Sequence, residues 1–177
     1  MVILIAGASH TGKTVLAQHL LEQLHYPYLS IDHLKMGLIR SGRTDLTPCD
    51  DEALTDYLWP VVREMIKTAI ENQQNLIVEG CYIPFDWADS FERSYLERIR
   101  YVCLIFSEGY IEHRFDRIRD HASDVERRLD DSDLSKEDLI RENRRNLESC
   151  RKLGLNYILM EEDYNVTQQI GGILCPM

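Results

Sequence analysis

The first fifteen residues constrain the fold of this chain most strongly. Val2 to Ala6 form an apolar run of the kind that makes a short buried strand. The octapeptide Gly7–Thr14 follows directly and matches the phosphate-binding P-loop (Walker A) pattern G-x-x-x-x-G-K-[ST]. Val15, Leu16, Leu20 and Leu24 then recur at helical spacing. A strand, a glycine-containing turn and a helix in this order predict a phosphate site at the turn.

The residue types in the loop suit an anion. Gly7 and Gly12 let the backbone bend so that its N–H groups converge. A helix beginning near Lys13 adds unpaired N–H groups and a partial positive charge. Lys13 would place an ammonium against the β- and γ-phosphates of a nucleotide, and Thr14 would offer its hydroxyl to Mg²⁺. The predicted nucleotide site consists of Gly7, Ala8, Ser9, His10, Thr11, Gly12, Lys13, Thr14 and Val15, with the His10 side chain as filler.

Composition narrows the class of protein. A length of 177 residues predicts one domain, residues 1–177, and the content of hydrophobic residues, 44%, is that of a globular protein. A net charge of −10 argues against broad binding to nucleic acids or anionic membranes. The five cysteines form no C-x-x-C pair, which indicates reduced thiols and a cytoplasmic protein. The sequence does not indicate an oligomeric state.

Short apolar segments alternate with helical patterns along the chain. This order predicts an α/β fold in which helices cover both faces of a parallel sheet. The predicted strands are 2–6, 28–31, 75–79, 101–106 and 156–160. The predicted helices are 32–40, 54–70, 87–98, 108–121, 135–153 and 164–174, with Pro60 expected to kink or divide the second one.

Polar or small residues stand where the predicted strands end. Gly7, Asp32, Glu79 and Ser107 each follow or close an apolar strand. Ligands of open parallel sheets bind beyond the carboxyl ends of the strands. We therefore expect these four positions to converge on one site.

Four segments together resemble the nucleoside-monophosphate-kinase-like branch of P-loop proteins, which includes gluconate, shikimate and zeta-toxin kinases. The P-loop matches completely, and Asp32–Lys35 resembles the acceptor-site Asp-x-x-Arg. Glu79-Gly80 is closer to zeta-toxin-like kinases, whereas Arg128–Asp131 resembles the lid Arg-x-Asp-Asp of nucleotide kinases, so these two signals conflict. The resemblance implies a P-loop NTPase three-layer sandwich with strand order 2-3-1-4-5. It also implies an acceptor-binding insertion at about 35–73 and a short lid at about 119–134.

Each candidate residue outside the loop also has a structural interpretation. Asp32 could receive or orient the proton of an acceptor hydroxyl, or it could cap the next helix. Glu79 could hold a water bound to Mg²⁺, or it could pair with an arginine at the strand end. Arg114, Arg117 and Arg119 could bind phosphate, or they could form ion pairs on a solvated helix. The arginines predicted to neutralise the transferred phosphoryl group are Arg117, Arg128 and Arg141, and Arg117 is also placed in the nucleotide site.

These expectations combine into an ATP- and Mg²⁺-dependent kinase of a small molecule. Lys13 and Thr14 would hold the triphosphate and the metal, and Glu79 would support the metal. The acceptor would be an alcohol or a sugar-type hydroxyl. Two alternatives stay open: a nucleoside monophosphate kinase, and a non-catalytic nucleotide-binding regulator. The GTPase motifs N-K-x-D and D-x-x-G, which a regulator of that class would carry, are absent from the sequence.

Overall fold

A parallel five-stranded sheet forms the centre of the protein in a computed structural model, which describes residues 1–120 and 135–174. The strands are β1 (Val2–Gly7), β2 (Tyr28–Ser30), β3 (Leu76–Glu79), β4 (Ile99–Phe106) and β5 (Tyr157–Met160). The helices are α1 (Lys13–Leu24), α2 (Ile31–Arg40), α3 (Asp51–Glu71), α4 (Arg93–Leu96), α5 (Glu108–Asp120), α6 (Lys136–Leu153) and α7 (Val166–Leu174).

The strand order is β2-β3-β1-β4-β5, and all pairs are parallel. This confirms the α/β P-loop fold class and the strand order that the resemblance implied. The central strand β1 is buried along its whole length between β3 and β4. A Cβ atom at Gly7 would lie 2.6 Å from the carbonyl oxygen of Leu104 on β4, so only glycine fits where β1 turns into the loop.

The two faces of the sheet bury separate apolar clusters. Val2 and Leu4 of β1 point to the face covered by α3, and Ile3 and Ile5 point to the face covered by α1, α5 and α7. This alternation is the strand period of two, and burial on both faces explains why the strands read as continuous apolar runs.

The predicted helix over 87–98 is wrong. A single 3₁₀ turn spans Trp87–Ser90, Phe91 is extended, and only the short helix α4 follows before β4 begins at Ile99. Phe91 is buried and lies edge-on to Trp59 and Trp87, with ring centroids 6.1 and 6.2 Å apart. Burial of this aromatic ring requires an extended backbone at the position where the sequence pattern favoured a helix.

Helix α3 runs through Pro60 without interruption, so no second helix begins there. The long predicted helix is thus one element, and its face that carries Leu58, Val62 and Ile66 is fully buried. No helix in the described part of the chain has both the length and the apolar character needed to cross a membrane.

Helix α6 is fixed against the end of β4 by a buried amide. Asn143 is 1% exposed, its Oδ1 accepts a hydrogen bond from the Phe106 N–H at 2.8 Å, and its Nδ2 donates to the Leu139 carbonyl at 2.8 Å. The helix begins as predicted, with Ser135 as the N-cap, and ends at Gly154 in the left-handed conformation. The Asn143 contacts hold α6 beside the carboxyl end of the sheet.

The predicted lid, residues 119–134, starts at the last two residues of α5. Its remaining positions, 121–134, lie outside the described residues, and Arg128 is among them. The lid and the role of Arg128 therefore stay predictions.

Candidate active site

The P-loop is braced from both sides as it connects β1 to α1. His10 and Gly12 adopt positive φ angles of 66° and 83°. Inside the loop, the Thr11 hydroxyl donates to the Ala8 carbonyl at 2.9 Å. Outside it, the Tyr164 hydroxyl donates to the Gly12 carbonyl at 3.3 Å, and a Cβ on Gly12 would lie 2.0 Å from that hydroxyl. The second glycine of the motif is thus required by both backbone conformation and space.

Lys13, the first residue of α1, is a buried cation. Its side chain is 5% exposed, and Nζ donates to the Ala8 carbonyl oxygen at 2.8 Å. Burial alone would lower the pKa of this ammonium. Cys81, Glu79 and Asp32 act in the opposite direction and outweigh burial, so the pKa of Lys13 is raised above its usual value. The lysine therefore stays charged at the position where the motif places phosphate.

Two residues near Lys13 carry oxygen atoms of the kind that bind Mg²⁺: Thr14 follows it in the sequence, and the charge of Glu79 acts on its pKa. Thr14 is in the first turn of α1, and Glu79 is the last residue of β3, only 1% exposed and in register with Ile5 of β1. A hydroxyl and a carboxylate are the hard ligands that Mg²⁺ takes from proteins when phosphates and water supply the rest. These residues thus fit the metal. Val15, which follows Thr14 in α1 and belongs to the predicted nucleotide site, has a side chain that is 41% exposed.

Asp32 lies in the first turn of α2, not at its N-cap. The N-cap is Ser30, whose side chain makes no capping hydrogen bond, so the capping interpretation of Asp32 is wrong. Asp32 Oδ1 instead accepts a 2.6 Å bond from Lys35 Nζ, which also donates to the Tyr82 hydroxyl at 3.0 Å. That hydroxyl donates in turn to Asp51 at 3.0 Å. This chain of bonds fixes the Asp32 carboxylate relative to α3 and to the loop after β3.

A cleft of about 1510 Å³ opens beside the P-loop. Its walls come from the P-loop, α2, the first turns of α3, the loop after β3 and one face of α6. The cleft lies at the carboxyl ends of β1 and β3, where ligands of open parallel sheets bind. The lining residues used below include Ser9, Asp32, Lys35, Asp51, Tyr82 and Arg145.

Sequence reasoning missed the three polar residues that α6 brings to the cleft lining: Glu142, Arg145 and Asn146. In the flipped orientation of the Asn146 side-chain amide, both its nitrogen and its oxygen have hydrogen-bond partners. The oxygen then accepts a hydrogen bond from the Ala8 N–H at 3.0 Å. The carboxylate of Glu142 bonds the backbone of Ser9. The signal was present in the helical period, because the three residues share the face next to the one that buries Leu139, Asn143 and Cys150.

Arg141, the arginine of α6 chosen from the sequence, does not line the cleft. Its side chain is exposed and pairs with Asp138 one turn earlier. Arg145, one turn later, lines the cleft. The helix is thus placed as predicted, but the arginine that it brings to the cleft is a different one.

The arginines of α5 lie outside the cleft lining. Arg119 forms an ion pair with Asp116 of its own helix at 3.2 Å. This arrangement agrees with the alternative that this arginine belongs to a solvated helix surface. Arg114 donates to the carbonyl oxygen of Glu162 at 3.4 Å, in the segment after β5 that also contacts the P-loop. Arg117 is exposed. Arg114 is thus the α5 arginine that the described contacts link to the nucleotide loop.

Comparisons with known proteins support the fold. No family model matches the sequence, and no curated protein matches it. Among solved structures, shikimate kinase from Acinetobacter baumannii in complex with shikimate is 19% identical, with a TM-score of 0.58 over 98% of this chain and 92% of that chain. Deoxyadenosine kinase from M. mycoides is 15% identical, with a TM-score of 0.58 over 98% and 97%. A gluconokinase from Sinorhizobium meliloti is 15% identical, with a TM-score of 0.54 over 97% and 88%. The chain therefore has the fold of P-loop kinases.

The two arginines of α6 provide a matched test of the site. If the cleft performs the phosphoryl transfer that the sequence predicts, we expect Arg145→Met to lower kcat/KM by about tenfold or more, since loss of its positive charge would weaken stabilisation of the transition state. Arg141→Met, one turn away and outside the cleft lining, should change it less than threefold, about the worth of an exposed ion pair. Steady-state kinetics of both variants would show this difference. A larger loss for Arg141→Met would restore the choice made from the sequence.

Proposed function

We propose that this protein is an ATP- and Mg²⁺-dependent kinase that phosphorylates a hydroxyl group of a small molecule. The observation that carries the proposal is the junction of two features: a P-loop with a buried, charged Lys13, and a cleft with Asp32 on its wall. A bare nucleotide site would need only the first feature. Kinases with the same fold support the assignment, since they include a gluconokinase, a deoxyadenosine kinase and a shikimate kinase.

In the proposed reaction, the acceptor oxygen attacks the γ-phosphorus of ATP while the bond to the β–γ bridging oxygen breaks and ADP leaves. The proton of the acceptor hydroxyl passes to the Asp32 carboxylate, which Lys35 holds in place. Lys13 and the loop N–H groups neutralise the charge on the phosphate oxygens. Thr14 would hold Mg²⁺ and Glu79 would support it, and the bound ion would neutralise further charge on the phosphates.

Arginines complete the proposed site. Arg145 lies on the cleft wall, and Arg128 of the predicted lid would approach when the lid closes. Arg117 and Arg141 are also proposed to neutralise the phosphoryl group. Each side chain would first have to move toward the nucleotide. The predicted insertion, residues 35–73, supplies Lys35 and the first turns of α3 to the cleft and is proposed as the acceptor-binding part of the domain.

A nucleoside monophosphate acceptor is less well supported. Its phosphate would need cations in the acceptor half of the cleft. The first turns of α3 bring Asp51, Glu52 and Asp56 to that wall. Of the two cations that α2 contributes to the lining, Lys35 is already paired with Asp32, which leaves Arg40. A non-catalytic regulator would have no need of an Asp32 carboxylate that Lys35 holds on the cleft wall. The first observation favours an acceptor without a phosphate, and the second favours a kinase over a regulator.

A screen of acceptors tests the proposal. Purified protein with MgATP should consume ATP faster when a suitable alcohol or sugar is added, and the stimulation should be lost in Lys13→Met, which removes the charge at the β- and γ-phosphates. Lys67→Met, on the outer side of α3, is the matched control, because it removes an amine that lies away from the cleft lining. Equal stimulation in the Lys13→Met variant would refute the role of the P-loop.

Asp32 is tested separately. We expect Asp32→Asn to lower kcat by about 10²–10⁴-fold, the usual worth of general acid–base catalysis, and to leave ATP affinity nearly unchanged. Steady-state kinetics and calorimetric titration with an ATP analogue would measure the two quantities. If kcat stays near normal while the melting temperature falls, Asp32 serves only to anchor Lys35.

A further inference from the structure

Helix α6 contacts the first half of the P-loop through two polar side chains, Glu142 and Asn146. They are one helical turn apart, so they lie on the same face. In the flipped orientation of its amide, the Asn146 oxygen accepts from the Ala8 N–H at 3.0 Å, and its nitrogen donates to the Glu142 carbonyl oxygen at 3.2 Å. The Glu142 carboxylate bonds the backbone of the next loop residue, Ser9. Two successive loop residues are thus bonded to one helix.

Ala8 is the point at which the loop leaves the support of the sheet. Strand β1 ends at Gly7, which pairs with Leu104 of β4, so the ladder of the sheet stops one residue before Ala8. Ala8 is nevertheless only 5% exposed. A buried N–H group without an acceptor is costly. Asn146 supplies the acceptor for this N–H from outside the sheet.

The carbonyl group of Ala8 holds the P-loop lysine. Its oxygen accepts hydrogen bonds from the Thr11 hydroxyl at 2.9 Å and from Lys13 Nζ at 2.8 Å. A displacement of Ala8 would therefore move the acceptor that fixes the ammonium group, and it would redirect the loop N–H groups that the motif uses for phosphates. Groups that bind a ligand must be held within about 0.5 Å of the productive geometry by the residues around them.

The two asparagines in the middle of α6 each have a partner outside the helix. Asparagine is unfavourable inside a helix because its side chain competes for backbone hydrogen bonds. Asn143 bonds the Phe106 N–H and thereby fixes α6 to the end of β4. Asn146 bonds the Ala8 N–H. The first residue joins the helix to the sheet, and the second joins the helix to the loop.

We propose that Asn146 and Glu142 are positioning residues, which hold Ala8 and Ser9 in the conformation that binds the phosphates of a nucleotide. This inference rests on the proposed kinase function and adds α6 to the support of its nucleotide site. Neither side chain takes part in the chemical step, since both act through hydrogen bonds to the loop backbone. If α6 only stabilised the fold, loss of these bonds would lower the melting temperature and leave nucleotide affinity unchanged.

Amide hydrogen exchange in the free protein, followed residue by residue by NMR, tests the contact itself. Asn146→Leu keeps the approximate size of the side chain and removes the acceptor. Exchange of the Ala8 amide should then become about tenfold faster, the factor expected for loss of one hydrogen bond. The Phe106 amide, which Asn143 holds, is the internal control and should change less than about twofold. Unchanged exchange at Ala8 would overturn the proposal.

Calorimetry with Mg²⁺ and a non-hydrolysable ATP analogue tests the effect on the site. Asn146→Leu should weaken binding by about tenfold, because a loop that is not held in place must be ordered when the ligand binds. Glu142→Gln and Glu142→Met both remove the negative charge, but only glutamine keeps an oxygen that can accept from Ser9. We expect the glutamine variant to bind at least about threefold more tightly than the methionine variant.

The outcomes separate this inference from the function on which it rests. Absence of analogue binding to the wild-type protein contradicts the kinase proposal. Normal wild-type binding that Asn146→Leu leaves unchanged overturns the positioning role alone. Equal affinities of the two Glu142 variants would also overturn it, because only the charge of Glu142 would then matter. This pair decides the question if Asn146→Leu does not fold, since Glu142 is exposed. Glu148→Gln, which changes an exposed carboxylate of α6 outside the cleft lining, is the matched control.

Discussion

The site depends on the burial of one positive charge. An ammonium taken out of water is costly unless opposite charges or hydrogen bonds compensate it. Lys13 is 5% exposed, and its nearby acids come from two other elements, Glu79 from β3 and Asp32 from α2. The sheet order places the ends of β2 and β3 beside the P-loop, so the fold itself supplies the compensation. The residues that keep the lysine charged are also those proposed to hold the metal and to accept the proton.

Charge divides the cleft into two parts. On the P-loop side, Ala8, Ser9 and Arg145 line the cleft, and the buried ammonium of Lys13 is bonded to the Ala8 carbonyl of the loop. The side formed by α2 and α3 carries most of the carboxylates, in a protein whose net charge is −10. Under the proposed function, the phosphates of the nucleotide would lie on the P-loop side and the acceptor would lie between α2 and α3.

The fold was readable from the sequence because local signals agreed: buried strands, a glycine-rich turn and capped helices point to one topology. For the site, the sequence made its most specific prediction where chemistry is tied to a motif, as at Lys13 and Thr14. Tertiary packing decided the rest. Phe91 packs in the core against Trp59, and its extended backbone interrupts the segment that was predicted to be a helix. The hydrogen bonds of Asn143 fix which face of α6 turns toward the sheet, and as a result Arg145 lines the cleft and Arg141 does not. No sequence motif predicts this orientation of the helix about its axis.

The most direct test of the central claim follows the γ-phosphoryl group itself. The protein is incubated with Mg²⁺, ATP labelled in the γ-phosphate and a mixture of small alcohols, sugars and amino alcohols, and the label is located by mass spectrometry. We predict that the label appears as a phosphate ester on a small molecule and that ADP forms in equal amount. Label found only in ATP and free phosphate, in the presence of every acceptor class, would contradict a phosphotransferase at this site.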